Sequence, residues 1–480
     1  MKKILFLFMS MTVVAFTASA QWSTNANGDA YISKKVGIWN SSPSALLHIT
    51  NPFYTTALLI GNSDDPNVWK YQMTLNTSSN FFRVGKVAPG QPPLMGNGSI
   101  GLGDEVVASG YTSFAAGRQC SAVGTNSVAL TFGTANGPAS LAWGLFAVSD
   151  GSNSNAMGKN AYASATSSVA IGENTAATAQ NSIAIGYGAQ ASNTAAVALG
   201  SSKAQGIYSS ALGNSTAVGD YSFATSGGKS TGMYSASFNQ AWANANGATA
   251  FGKSIADAEM SFAAGTAYAH GQYSSSFGES EALGDYSFSS GIRSQADGYA
   301  STALGSYVYA SGKNSMILGT GDVPNLSSLT NKIDNSLMIG FGSVKLPSVF
   351  VGPADPKNEK AQFGFVGIGT TTPKYELSVN GTIVAKSAVL VENLPGEWPD
   401  YVFKKDYSLM PLGEVEKFIE SNHHLPGVPS QEEIKKEGLN LGEMEMIMMK
   451  KIEELTLHMI QMQKENAALK SMVKELQTKE

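Results

Sequence analysis

The sequence predicts a mainly β protein: a solenoid of 13–14-residue coils followed by a C-terminal α-helical coiled coil. Three observations carry this. Glycines recur at Gly117, Gly144, Gly158, Gly172, Gly186, Gly200, Gly213, Gly252, Gly265, Gly278, Gly291, Gly305 and Gly319, at steps of 13 or 14 or a multiple of these. Each follows a short phrase of period two, the spacing of a β-strand. The last 40 residues replace that phrase with a heptad of apolar residues.

The ends and the composition narrow the class. Lys2 and Lys3 precede an apolar run from Ile4 to Phe16 and then Ala18-Ser19-Ala20, the pattern of a cleaved secretory signal, so a secreted or cell-surface protein is expected. No later stretch is long and apolar enough to span a bilayer, and a single cysteine, Cys120, leaves no intrachain disulfide. A net charge of -5 without basic clusters argues against nucleic acid as a partner. With 51 glycines and only 14% charged residues, a repetitive body is expected rather than a compact enzyme.

Within the repeat, the residues one and three before the glycine share a strand face. Val169 and Ile171 fill one such face, and from Ser210 onward Phe223 with Thr225, Ala236 with Phe238 and Phe262 with Ala264 show one member large and the other small. This trade of volume is that of a packed interior, to which the pair is assigned. The residue between them is only Ala or Ser, as at Ala170, Ala184, Ala198, Ala211, Ala224, Ser237 and Ala250, so another sheet or subunit is expected to approach closely there. The column breaks at Ile317 and Met338, where the regular stack is expected to end. Sixteen coils at about 4.8 Å each would stack to roughly 75 Å.

The phrases SVAIG, SIAIG, AVALG and STALG, separated by A-x-x-x-N-S or G-x-Y-S, resemble the head repeats of YadA-like trimeric autotransporter adhesins over about residues 97–342. The resemblance implies a left-handed parallel β-roll in which three chains pack side by side, hence a homotrimer. Those adhesins end in a membrane β-barrel, and no such alternating strands precede Glu480, so direct outer-membrane anchoring is not expected.

Outside the roll, VGIWNSSPSALLHIT at 36–50 aligns with VGIGTTTPKYELSVN at 366–380 as strand, proline turn and strand, a pair of adaptors bracketing the head. Residues 391–440 hold Pro-rich turns around a short helix over Leu412–Ser421, with Trp398, Tyr401 and Phe403 expected to cluster. This C-terminal region resembles that of secreted bacterial tail-fibre-like proteins. It lacks the S-D-x-R-L-K-like Ser-Lys run of the endosialidase-type intramolecular chaperone, so self-cleavage is not expected. In the stalk Ile452, Leu455, Leu469 and Val473 lie on the heptad seam and Asn466 fills an a position, where a buried amide would fix trimer register. The expected order is therefore signal peptide 1–20, N-terminal β adaptor 21–96, head 97–342, β adaptor or neck 343–390, small α+β module 391–440 and coiled-coil stalk 441–480.

Motifs for chemistry are weak. GGKST at 227–231 lacks the glycine that a phosphate loop needs at Phe223, and Gly186-x-Gly188-x-x-Ala191 has no helix after it. Adjacent His423 and His424 do not suit chelation of one ion, and paired acids for hydrolysis are missing from the coil turns. No catalytic residue, metal or cofactor is expected. The one candidate surface is a column of tyrosines, Tyr208, Tyr221, Tyr234, Tyr273, Tyr286 and Tyr299, whose register passes through Gly247 and Met260. It either packs the turns or offers a stripe for a host glycan or matrix protein. The functional expectation is a secreted trimeric adhesin, with a structural or tail-fibre-like assembly protein and a carbohydrate-active solenoid enzyme as alternatives.

Overall fold

The computed structural model describes residues 22–24, 30–32, 56–61, 70–76, 78–87, 94–322, 324–342, 346–353, 364–392 and 396–478. The signal segment 1–20 and the first adaptor copy, 36–50, lie outside them. The chain forms two compact units, Met1–Gly381 and Thr382–Glu480.

In the first unit each coil contributes a longer strand, such as Val169–Ile171, and a two-residue strand, such as Ala176–Ala177. Strands of successive coils pair in parallel. Ala170 lies opposite Ala184 at a step of 14, and Ala198 opposite Ala211 at a step of 13. The parallel ladder of longer strands runs from Ile100–Asp104 to Leu337–Phe341, as the repeat predicts.

The inside and the outside are exchanged relative to expectation. A coil sends only four side chains inward; in coil 168–181 they are Ser168, Ala170, Thr175 and Ala177, all buried. Ala170, Ala184, Ala198, Ala211 and Ala224 are wholly buried inside the coil, facing the alanines of the short strands. The larger pair points out, with Val169 and Ile171 only half-buried and Ile185, Phe251 and Leu318 exposed. Between the longer strand and its opposite wall a 13–14-residue coil is too narrow for long or aromatic side chains, so the period-two alternation sends the methyl-sized member in and the bulky pair out. Volume compensation therefore operates on the outer face. There Phe223, Phe238, Phe251, Phe262, Phe277 and Phe288 form a ladder with ring centroids 4.4–5.7 Å apart, Phe238 and Phe251 stacked in register and the other steps alternating between the two positions of the pair.

Two side-chain columns close the bends. In some coils the buried serine that opens the longer strand donates its hydroxyl to the carbonyl three residues earlier, as Ser168 does to Ala165 at 2.7 Å and Ser182 to Ala179 at 2.6 Å, whereas the hydroxyls of Ser127, Ser209, Ser222 and Ser287 are buried without a partner among the described residues. The glycine that ends the strand holds a conformation closed to other residues: Gly172 has φ +127°, and a Cβ there would lie 2.3 Å from the Gly186 carbonyl oxygen. Where Thr131, Ser226 and Asn239 replace glycine, φ falls to 47–57°, a left-handed value that a side chain tolerates.

The 13–14-residue step ends at Ile317, and the parallel ladder ends with the strand that carries Met338. Both remain in the inward column, joined in one cluster by Val308, Leu329 and Phe350. Met316 pairs with Leu337 at a step of 21, and this longer coil encloses the extra volume. Antiparallel strands close both ends. Lys70–Asn76 pairs with Phe81–Val87 before the first coil, and Val349–Gly352 pairs with Leu337–Phe341 after the last, which shields the open edges of the roll. Beyond it, Phe365–Ile368 and Leu377–Val379 flank the proline turn of the second adaptor copy and pair in parallel.

In the second unit a 3-10 turn at Pro399–Phe403 precedes α1 (Leu412–Asn422), α2 (Gln431–Glu437) and α3 (Leu441–Gln477). Ser430 and Glu433 form a reciprocal capping box that starts α2. The aromatic cluster differs from expectation: Pro399 and Val402 are the buried residues of the turn, while Trp398 and Phe403 are exposed.

Enlarging an inward alanine tests the assignment of faces. Ala184→Leu is expected to lower the unfolding free energy by about 1–3 kcal/mol through overpacking, read as a depressed midpoint in thermal or denaturant unfolding; an unchanged midpoint would place Ala184 outside.

Candidate functional site

The tyrosine column occupies one turn of the roll. In Gly219-Asp220-Tyr221-Ser222 the Ser222 N–H donates to the Gly219 carbonyl at 3.2 Å, and Tyr221 takes φ 57°. A positive φ at the third position is what a type II turn requires. The same slot holds Asn126, Asn153, Asn181, Asn314 and Asn335 in other coils, all with positive φ. Asn suits this region and a bulky aromatic does not. Tyr208, Tyr221, Tyr234, Tyr273 and Tyr286 nonetheless adopt φ values of 54–58°.

Their rings stack above one another. Tyr208 to Tyr221 is 5.3 Å, Tyr221 to Tyr234 is 5.0 Å and Tyr273 to Tyr286 is 5.1 Å, with planes within 15° of parallel. All are about half exposed, so the rings stand on the surface instead of packing beneath it. Tyr299 departs from the column. Ala300 takes the left-handed slot, and the Tyr299 ring meets Tyr286 edge-on at 62°, with Lys313 Nζ 5.5 Å from its centroid. A 14-residue coil in place of 13 causes this offset. Between the two groups Met260 Sδ fills the space over Gly247, where a Cβ would lie 2.2 Å away.

Residues preceding the slot fasten one coil to the next. Asp220 Oδ1 accepts the Ile207 N–H at 2.8 Å, Asn246 Oδ1 that of Met233 at 3.0 Å and Asp285 Oδ1 that of Gln272 at 2.9 Å. The ladder thus rests on a rigid turn.

A second surface escaped the sequence reading. The residue before the inward alanine or serine of each short strand faces out, and it is chemically varied: Tyr162, Gln190, Lys203, Lys229, Trp242 and Tyr268. Lys229 Nζ lies 5.9 Å from the Trp242 ring. A cleft of about 320 Å³ opens on this face near Tyr268 and Tyr309. The signal was present as a position that varies while its neighbours stay small.

GGKST is a repeat bend, with Lys229 exposed and Ser230 buried in a short strand. Gly186 and Gly188 lead into the strand Gln190–Ala191 and into no helix. His423 is the left-handed C-cap of α1. Among the described residues no group of three or more His, Cys, Asp or Glu side chains could hold a metal ion.

In the second unit the seam residues Ile452, Leu455, Leu469 and Val473 are all more than half exposed along α3. Asn466 is exposed too, its amide donating to the Met462 carbonyl at 3.1 Å. Ile452 and Leu455 also line an apolar groove of about 880 Å³ with Tyr401, Leu409 and Val415. Beside it Tyr407 donates to Glu454, which also binds Lys451 at 2.7 Å. Burial pushes the Tyr407 phenol up, and the acceptor adds to the shift. Burial opposes ionisation of Glu454, but its hydrogen bonds to Lys451 and Tyr407 hold it below the usual carboxylate range. Glu453 has no such help: its Oε2 is buried without a partner, and desolvation followed by the nearby Asp400 raises its pKa.

Residues 149–175, 177–202 and 282–307 match the family model of the YadA head domain repeat (2 copies). No match to a curated protein was found. The fold is thus a β-solenoid whose repeats are similar, over these residues, to the YadA head repeat. None of the described helices is long and apolar enough to cross a membrane.

Tyr221→Asn is expected to leave the unfolding midpoint nearly unchanged, because relief of the left-handed strain offsets the lost stacking. Tyr221→Val, β-branched in the same slot, should cost about 1–2 kcal/mol. Glu453 binds a proton more readily folded than unfolded, so its contribution is unfavourable above the unfolded pKa and fades as pH falls. Glu453→Gln should therefore stabilise the C-terminal unit at neutral pH, with the gain shrinking toward pH 4 in helix-melting curves.

Proposed function

We propose that this chain is a secreted homotrimeric fibre that acts as a cell-surface adhesin. The observation that carries the reading is the outward apolar stripe of the roll. Val169, Ile171, Phe238, Phe251 and their counterparts form a continuous band that a single chain leaves half covered. Side-by-side packing of three rolls would remove this band from water, and volume trading within each pair then has a physical cause, since the neighbour fixes the space per layer. The heptad seam of α3 has the same incompleteness, and Asn466 on it would hold the three helices in register.

Adhesion is assigned to the tyrosine ladder. It presents flat amphipathic rings at a regular spacing on fixed turns, which limits the entropy lost on binding a host glycan or matrix protein. Three parallel copies on one rod would raise apparent affinity where each contact is weak. The C-terminal region, read as tail-fibre-like, would serve assembly.

Light scattering of the protein lacking residues 1–20 tests the oligomer: three chains per particle are expected, and loss of the trimer on truncation before Gly442 would assign registration to α3. A monomer would overturn the reading. Binding to immobilised matrix proteins and glycans should weaken at least tenfold when Tyr221 and Tyr286 are both changed to alanine; unchanged binding would leave the ladder a structural element of a fibre that does not adhere through it.

A further inference from the structure

The cleft beside Tyr268 lies where the roll departs from its own rule. Elsewhere a bend separates the longer from the shorter strand, but Ser275–Ala282 and Phe288–Ala296 run through as single strands of 8 and 9 residues. Their pairing shifts between Glu279 and Ser280, where the partner strand carries one extra residue, Arg293, at φ 50°. Such a bulge re-aims the side chains around it.

The register stacks four outward residues of successive coils. Tyr268 pairs with Glu281, Glu281 with Gln295 and Gln295 with Tyr309. Two tyrosines thus bracket a carboxylate and an amide across three ladder steps, a span of roughly 14 Å. All four line the 320 Å³ cleft, a volume within the range of small-ligand sites. Tyr268 is stacked on His270 at 5.8 Å, and His270 Nδ1 lies 2.6 Å from Asp257 Oδ1, which fixes the ring in place. Arg293 is engaged at the rim: its Nε is 3.7 Å from Glu279 Oε1 and its guanidinium 5.6 Å from the Tyr307 ring. Glu281 forms no ion pair among the described residues.

We infer that this cleft binds a short neutral oligosaccharide lying across the coils. Pyranose rings present apolar C–H faces to the two tyrosines, while Glu281 accepts and Gln295 both accepts and donates hydrogen bonds with the hydroxyls between them. The engaged guanidinium and the unpaired Glu281 carboxylate disfavour sialylated or sulfated chains. The site lies on the short-strand face and does not depend on the tyrosine ladder or on the adhesin reading.

The test is calorimetric titration of the full chain without residues 1–20, using neutral tri- and tetrasaccharides of glucose, galactose and N-acetylglucosamine, with sialyllactose and a heparin tetrasaccharide as anionic probes. At least one neutral oligomer is expected to bind. Tyr268→Ala and Tyr309→Ala should each weaken it roughly tenfold, about 1.4 kcal/mol, and Glu281→Gln should weaken it less while easing the exclusion of sialyllactose. Tyr221→Ala with Tyr286→Ala should leave the affinity unchanged, which separates this site from the ladder. Circular dichroism confirms that each variant keeps the roll. Absence of binding by every neutral probe, preference for an anionic one, or indifference to both Tyr268→Ala and Tyr309→Ala would overturn the assignment.

Discussion

The narrowness of the coil governs the rest of the structure. Two bends and two short strands within 13 or 14 residues leave room between the walls for methyl and hydroxymethyl groups, and the inward columns of Ala170, Ala177 and Ser168 show that limit. Apolar burial per coil is correspondingly small, so the ladder of parallel backbone hydrogen bonds supplies much of the local order. Where more volume is enclosed, at Ile317, Leu329 and Met338, the coil has lengthened to 21 residues. The bulky residues must go outside, and the need for a covering surface follows from the same constraint.

The repeat, its step, its strands and its turns were legible because they follow from period and from glycine chemistry. Gly172 at φ +127° and the N-S and Y-S dipeptides at many of the bends are local signatures that need no tertiary context. The direction of each face was not legible. Alternation assigns residues to two sides of a strand without saying which is inside, and the large-small pairing of Phe223 with Thr225 fits an interior and a covered exterior equally well. Only the separation of the two walls decides, and that is a property of the closed coil.

The candidate surfaces show the same division. The tyrosine column could be read from its spacing, but not the left-handed backbone beneath it or the displacement of Tyr299 by one residue in a longer coil. The cleft of Tyr268, Glu281, Gln295 and Tyr309 was hidden because its members belong to four coils and meet only through register and a bulge at Arg293. A solenoid turns such one-dimensional spacing into a surface: a rigid stack of small residues carries variable positions at fixed intervals, and recognition can change there without disturbing the core.

Solvent access to the outward stripe tests the central claim most directly. Cys120 is the only cysteine and is buried, so single cysteines placed elsewhere report cleanly. In the native full-length protein, Leu199→Cys on the outward stripe should react with a maleimide far more slowly than Lys203→Cys on the short-strand face, and the two rates should converge on unfolding. Equal rates in the native state would mean that the stripe faces water, contradicting the account.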